Sequence, residues 1–302
     1  MSGSSVLKLE DTKIGWIGTG VMGRSMAMHF LNKELSVTVH NRSKKKAETL
    51  IEKGAHWVET PKEVAQKADV IFLMVGFPQD VEQCVFGKEG ILEGLSEGKI
   101  FVDMTTSSPS LSQRIGEVLL SQNVMALDAP VSGGDVGALK GTLSIMVGGE
   151  EKAFESLKNV WELLGNKAVY QGSYGSGQHT KMVNQILIAT NMIGVCESLL
   201  YAFKAGMDPW KVLESVESGA AASWSLSQLG RRILNKDFAP GFFVDHFIKD
   251  MGLALDEAKK MNLCLPGLAL AHQLYVALKA QGGGLKGTQA LYLALSHLSQ
   301  RS

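Results

Sequence analysis

The chain has 302 residues, 45% hydrophobic and 20% charged, a globular make-up with room for two domains at roughly 150 residues each and unlike that of a disordered, collagenous or disulfide-built chain. Thirty Lys and Arg balance thirty Asp and Glu, so no global field draws in nucleic acid or an acidic membrane, and neither is expected as a partner. Three cysteines, Cys84, Cys196 and Cys264, stand far apart in apolar or helical surroundings; they suit a reducing compartment, build no zinc site, and are each expected as a buried thiol.

The first residues, Met1 to Thr12, have neither the apolar core of a signal peptide nor the Arg-rich pattern of a transit peptide, and no uninterrupted apolar run reaches the length of a membrane span. A cytoplasmic chain is expected, or an organellar one if a presequence has been removed. From Lys13 to about Val169, β-branched runs (IGWIG, LSVTVHN, DVIFLMV, IFVDM, VMALDAP, TLSIMVG) alternate with amphipathic stretches. This alternation predicts an α/β domain, a doubly wound and mostly parallel sheet covered by helices on both faces.

The first strand, Lys13 to Ile17, runs into Gly18-Thr19-Gly20-Val21-Met22-Gly23, a G-x-G-x-x-G turn that opens an amphipathic helix to Asn32. The first glycine makes the tight turn, the second lets backbone approach a pyrophosphate and the third allows close helix packing, so a dinucleotide is expected on the helix N-terminus of a Rossmann domain. About twenty residues on, where an NAD-type site places an acidic residue on the ribose, the second strand ends in Asn41-Arg42-Ser43. Asn41 can hydrogen-bond the ribose and Arg42 offers a planar fork to a 2′-phosphate, which favours NADP(H) over NAD(H). The competing account of Arg42 is a solvated cation beside Lys44 to Lys46.

Asp128-Ala129-Pro130-Val131-Ser132-Gly133-Gly134 begins within the end of the fifth apolar run, and its serine and adjacent glycines allow hydroxyl and backbone N–H donors to converge on a carboxylate. Ser132 lies outside any G-x-S-x-G elbow, so a serine nucleophile is set aside. Gly172 to Gln178 (GSYGSGQ) reads as a junction, with domains at 1–172 and 173–302, the second all-helical and introduced by a long helix from Lys181 to Gly206. Lys181 and Gln185 share a face of that helix, with Asn184 close by. A lysine there could protonate a carbonyl oxygen as hydride reaches carbon, although in isolation it reads more readily as a solvated cation. His179 reads as a surface residue rather than a metal ligand, no metal is expected, and Trp224 with Phe242 and Phe243 reads as core more readily than as a lid.

Four blocks in order, the glycine turn, Asp103-Met104-Thr105-Thr106-Ser107, the stretch from Asp128 to Gly141, and Gly175-Ser176-Gly177-Gln178-His179-Thr180-Lys181, resemble the β-hydroxyacid dehydrogenase family over nearly the whole chain. Its plant-type 3-hydroxyisobutyrate-dehydrogenase-like branch is the most similar, and 3-hydroxyisobutyrate dehydrogenases, tartronate semialdehyde reductases and glyoxylate/succinic semialdehyde reductases are among its members. The resemblance implies Lys181 as acid/base, Ser132, Gly133 and Gly134 on the substrate carboxylate, and Thr106 and Lys249 on the cofactor, with Val75 and Gly76 as its wall. Lys249 also has Asp250 as a salt-bridge alternative. Gln185 stands where many members carry Asn, which leaves acyl-chain preference open. The expected activity is NADPH-dependent interconversion of a small carboxylate-bearing aldehyde or keto acid and its hydroxy acid, in a homodimer or homotetramer. Two rivals stay open, an imine reductase of the same fold and a non-catalytic cofactor-binding module; the retained lysine argues against both.

Overall fold

Ile14–Ile17 and Val70–Leu73 are buried at every position, as strands covered on both faces must be. The computed structural model describes residues 6–300, so the stretch read for targeting signals lies partly, at residues 1–5, outside the described residues. The chain divides into two compact units, Met1–Lys181 and Met182–Ser302.

In the first unit the strands are β1 (Ile14–Ile17), β2 (Val37–His40), β3 (His56–Trp57), β4 (Val70–Leu73), β5 (Ile100–Asp103), β6 (Met125–Asp128), β7 (Val131–Ser132), β8 (Leu143–Gly149) and β9 (Gly165–Gly172). The helices between them are α1 (Val21–Asn32), α2 (Glu48–Glu52), α3 (Pro61–Lys67), α4 (Pro78–Phe86), α5 (Pro109–Leu120), α6 (Gly134–Lys140), α7 (Glu151–Ser156) and α8 (Lys158–Leu164). The sheet order is β3-β2-β1-β4-β5-β6-β8-β7, with β9 on β8. Every pair from β3 to β6 is parallel; β8 then runs antiparallel to β6 and β7, and parallel to β9. The order reverses beside β1, and the carboxyl ends of β1 and β4 frame the crevice where doubly wound folds bind ligands.

Alternate residues of these strands feed two cores. Ile14, Trp16, Phe72 and Val102 pack with Phe30 of α1 on one face, while Ile17, Ile71, Leu73 and Phe101 pack with Ile115 of α5 on the other. Trp16 stacks on Phe72 with ring centroids 5.3 Å apart, and Phe30 closes the aromatic group. Three strands escape a sequence reading: β3 and β7 are two residues long, and β9 buries none of its residues fully, so its composition carries no apolar period.

Helix α9 (Ser176–Lys204) crosses from the first unit into the second. It starts at Ser176 rather than at the expected Lys181, because the Asp128 carboxylate accepts from the Gly175 and Gln178 N–H groups and fixes an earlier first turn. By length and composition it is apolar enough to cross a membrane, a test that core helices also pass. The second unit continues with α10 (Pro209–Val216), α11 (Arg231–Leu234), α12 (Val244–Lys260), α13 (Pro266–Leu278) and α14 (Leu291–Gln300) around a core that includes Met192, Leu199, Phe247, Tyr275 and Leu291. The fully buried Tyr275 hydroxyl donates to the Thr288 carbonyl at 2.8 Å, as a buried polar group must. Two expectations are corrected. Of the three thiols only Cys196 is buried; Cys84 is half-buried and Cys264, in the turn after α12, is exposed. Trp224 is 67% exposed and belongs to no core.

Candidate active site

The glycine turn sits where β1 meets α1. Gly18 has φ +94°, and a Cβ there would lie 2.1 Å from the Met74 carbonyl oxygen; a Cβ on Gly23 would lie 2.0 Å from the Gly18 carbonyl oxygen. Gly20, the N-cap of α1, is different: nothing lies within 4 Å of the position its Cβ would take. Helix geometry leaves the first-turn N–H groups, those of Val21 and Met22 included, without intrahelical acceptors, and the helix dipole favours an anion there. Thr19 adds a buried hydroxyl with no hydrogen-bond partner in the protein. Open space over Gly20, outward N–H groups and an orphaned hydroxyl fit the pyrophosphate of a dinucleotide.

Asn41 is used locally, since its Oδ1 accepts from the Thr19 N–H at 3.1 Å and its Nδ2 donates to the Ser43 carbonyl at 3.0 Å. Arg42 extends into solvent with its side chain 89% exposed and one guanidinium nitrogen 3.3 Å from Asp80 of α4. The half-buried Val75 and Gly76 leave the end of β4, where the Val75 N–H donates to the Thr105 hydroxyl at 3.0 Å; Thr106 follows directly.

The second cluster in this unit surrounds Lys181. Gly133 and Gly134 take φ +131° and +64°, the left-handed region that favours glycine, and turn the chain sharply after Ser132. Lys181 is 6% exposed, and its Nζ donates to the Val131 carbonyl at 2.8 Å, one residue before Ser132. The solvated-cation account of this lysine is therefore wrong. Asp128 accepts from the Gly175 and Gln178 N–H groups, both at 2.8 Å. Gln178 in turn accepts from the Ser107 N–H at 2.9 Å and donates to the Thr105 carbonyl at 2.7 Å. Burial pushes the Asp128 carboxyl up to about 6, against the opposing pull of the backbone N–H donors. Three of the four sequence blocks are thus one hydrogen-bonded assembly. Asp128 and Gln178 were within those blocks but carried no assigned role, because sequence shows a carboxylate and an amide without showing which N–H groups they meet.

In the helical unit, Asn184 Nδ2 donates to Gln185 Oε1 at 2.7 Å, and Gln185 Nε2 donates to Asp250 Oδ2 at 2.6 Å. The other oxygen of Asp250 meets Lys249 Nζ at 2.8 Å, so the ion pair weighed from sequence is formed. Asp250, 1% exposed, holds both Gln185 and Lys249 and was missed as a site residue, although its adjacency to Lys249 was a signal. His179 is half-buried, and among the described residues no group of three His, Cys, Asp or Glu could hold a metal ion.

Residues 13–172 match the NAD binding domain of 6-phosphogluconate dehydrogenase, and residues 175–295 match the domain described as NAD-binding of NADP-dependent 3-hydroxyisobutyrate dehydrogenase. The chain is 50% identical to a probable 3-hydroxyisobutyrate dehydrogenase-like 1, mitochondrial, of Arabidopsis thaliana, over 99% of this chain and 90% of the relative. It is 40% identical to a 2-hydroxy-3-oxopropionate reductase of Escherichia coli, over 94% of this chain and 97% of the relative. Among solved structures, a 3-hydroxyisobutyrate dehydrogenase from Salmonella typhimurium superposes with a TM-score of 0.84 at 27% identity, covering 94% of this chain and 99% of that one.

Proposed function

The chain belongs to the β-hydroxyacid dehydrogenase family and is an NAD(P)-dependent hydroxyacid dehydrogenase, and from that premise we propose that it is an NADPH-dependent reductase of a small, carboxylate-bearing aldehyde or keto acid, with Lys181 as general acid. The observation that carries this reading is the buried Lys181 ammonium, held 2.8 Å from the Val131 carbonyl at the edge of the Ser132-Gly133-Gly134 turn.

When bound, the reduced nicotinamide supplies the hydride for the carbonyl carbon. Ser132 and the backbone N–H groups of Gly133 and Gly134 hold the substrate carboxylate, which fixes the carbonyl near the lysine. Lys181 delivers a proton to the oxygen as negative charge develops there, and in the oxidative direction the neutral amine takes that proton back; such transfer contributes about 10²- to 10⁴-fold in rate. Asn184 and Gln185, in the next turn of α9, align the substrate, and Lys249, anchored by Asp250, contacts the cofactor. Gly18 to Gly23 cradle the pyrophosphate, Val75 and Gly76 wall the cofactor, Thr106 contacts it, and Arg42 and Ser43 meet the ribose and its 2′-phosphate, braced by Asn41 through its bonds to Thr19 and Ser43.

Arg42 supports NADPH over NADH because no acidic residue occupies its position and an exposed guanidinium can leave Asp80 for a phosphate at little cost. We also propose a homodimer or homotetramer, supported by the exposed Val183, Leu187 and Tyr201 along one stripe of α9. The test of function is kcat/KM for glyoxylate, succinic semialdehyde, methylmalonate semialdehyde and tartronate semialdehyde with NADPH and NADH in parallel. Oxidation of NADPH by at least one member supports the reading; no oxidation of either cofactor by any would favour a cofactor-binding module.

A further inference from the structure

A helix start leaves its first N–H groups without intrahelical acceptors, so its direction depends on what accepts from them. At α9 a single carboxylate does much of this. Asp128, at the end of β6, receives the N–H groups of Gly175 and Gln178, and the Gly177 N–H also hydrogen-bonds it. The approach is close: a Cβ on Gly177 would lie 2.4 Å from the Asp128 carbonyl oxygen and 2.5 Å from that of Met146, so only glycine lets the helix begin here. Gln178, with no exposed surface, ties the same turn to the segment after β5 through Ser107 and Thr105. Lys181 follows Gln178 by one helical turn, and its Nζ reaches the Val131 carbonyl. Both ends of the lysine are therefore referenced to one short segment, its backbone through Asp128 and its ammonium through Val131.

We propose that Asp128, assisted by Gln178, is a positioning residue that sets where the Lys181 ammonium stands relative to the Ser132-Gly133-Gly134 turn; the catalytic consequence rests on the reading of Lys181 as general acid. Asp128 itself touches neither substrate nor cofactor in this scheme. A carboxylate suits the position because it offers only acceptors, whereas an amide of the same shape would turn a donor toward a backbone N–H. Loss of the clamp lets the first turn of α9 shift or fray, and the ammonium moves with it.

The test compares Asp128→Asn and Gln178→Glu with Val160→Ala, a core control in the same unit that lowers Tm without touching the clamp. Two readouts are taken. The first is acetylation of Lys181 by acetic anhydride, followed by peptide mass spectrometry, which needs no turnover. The second is kcat, KM and the pH profile of kcat with the best aldehyde of the panel, alongside NADPH affinity. Asp128→Asn is expected to raise Lys181 acetylation by about tenfold, as an added local opening of the helix start would. It should also lower kcat by about a hundredfold, the scale of a misplacement of roughly 1 Å, and displace the pH profile while NADPH affinity holds. Gln178→Glu should do the same more weakly, and Val160→Ala should do neither. Unchanged Lys181 labelling and an unchanged pH profile in both clamp variants, whatever their Tm, would overturn the proposal. If Lys181→Ala keeps its kcat, the reading of Lys181 fails by itself, and the labelling arm still decides whether Asp128 places the ammonium.

Discussion

Gly23 illustrates how little freedom the cofactor turn has. Its Cβ would meet the Gly18 carbonyl oxygen, which is backbone and cannot rotate away, so Gly23→Ala must move α1 off β1. The expected outcome is a loss of about 1 to 3 kcal/mol in urea unfolding together with weakened dinucleotide binding; unaltered binding would show that the turn does not form the cradle. Arg42 makes the opposite kind of prediction, because it is exposed and its removal should leave folding alone. Arg42→Ala should weaken NADPH binding by about ten- to a hundredfold, the worth of a hydrogen bond to a charged group, and leave NADH binding unchanged. Equal losses for the two cofactors would remove Arg42 from the 2′-phosphate. At this scale the sequence identified residue types and their chemistry well, since glycine spacing and the absence of an acidic residue are visible in one dimension. Partnerships were not visible: that Asn41 is engaged with Thr19, that Lys181 is buried and that Asp250 anchors Gln185 all depend on distant segments.

Elements were legible where their apolar runs are long enough to have a period. The four-residue strands β1, β4 and β5 announced themselves, whereas β3 and β7 are too short and β9 too exposed. The start of α9 was misplaced because Ser176 to Thr180 is polar and glycine-containing, and what makes a helix of it is contact with distant residues, the Asp128 carboxylate first among them. That buried carboxyl makes stability depend on pH. Asp128 has a folded-state value of about 6 against an ordinary 3.8, so between these values the folded chain binds a proton that the unfolded chain releases. Burial outweighs the N–H donors, so the proton-linked part of its stability is fully present below the unfolded value and is lost as pH rises through about 6, while the N–H contacts persist to the ionised carboxylate. The unfolding free energy of the protein minus that of Asp128→Asn, measured in urea, should therefore fall by on the order of 3 kcal/mol between pH 4 and pH 7. A pH-independent difference would mean that Asp128 titrates as an ordinary carboxylate. Asp103 and Tyr174 line the same small interior space.

For the whole chain, alternation followed by an all-helical texture sufficed to read a doubly wound domain and a helical one, because each texture buries its apolar surface in only a few ways. Assembly is less accessible, since an exposed stripe on a long helix resembles an ordinary amphipathic face until neighbouring helices are in place. Leu187 is 59% exposed within that stripe. Leu187→Glu should shift sedimentation velocity toward monomer without loss of helix content; a wild-type chain that already sediments as a monomer would contradict the oligomer proposal.

The role proposed for the Lys181 ammonium is proton donation to the carbonyl oxygen. It is tested most directly by single-turnover oxidation of bound NADPH in Lys181→Ala, with the best aldehyde of the panel and with cofactor affinity measured on the same preparation. NADPH affinity is expected to stay within about threefold of the unsubstituted protein and the rate to fall by about 10²- to 10⁴-fold. A rate within about threefold of normal, with NADPH equally well bound, would contradict it, because general acid catalysis would then be supplied by another group.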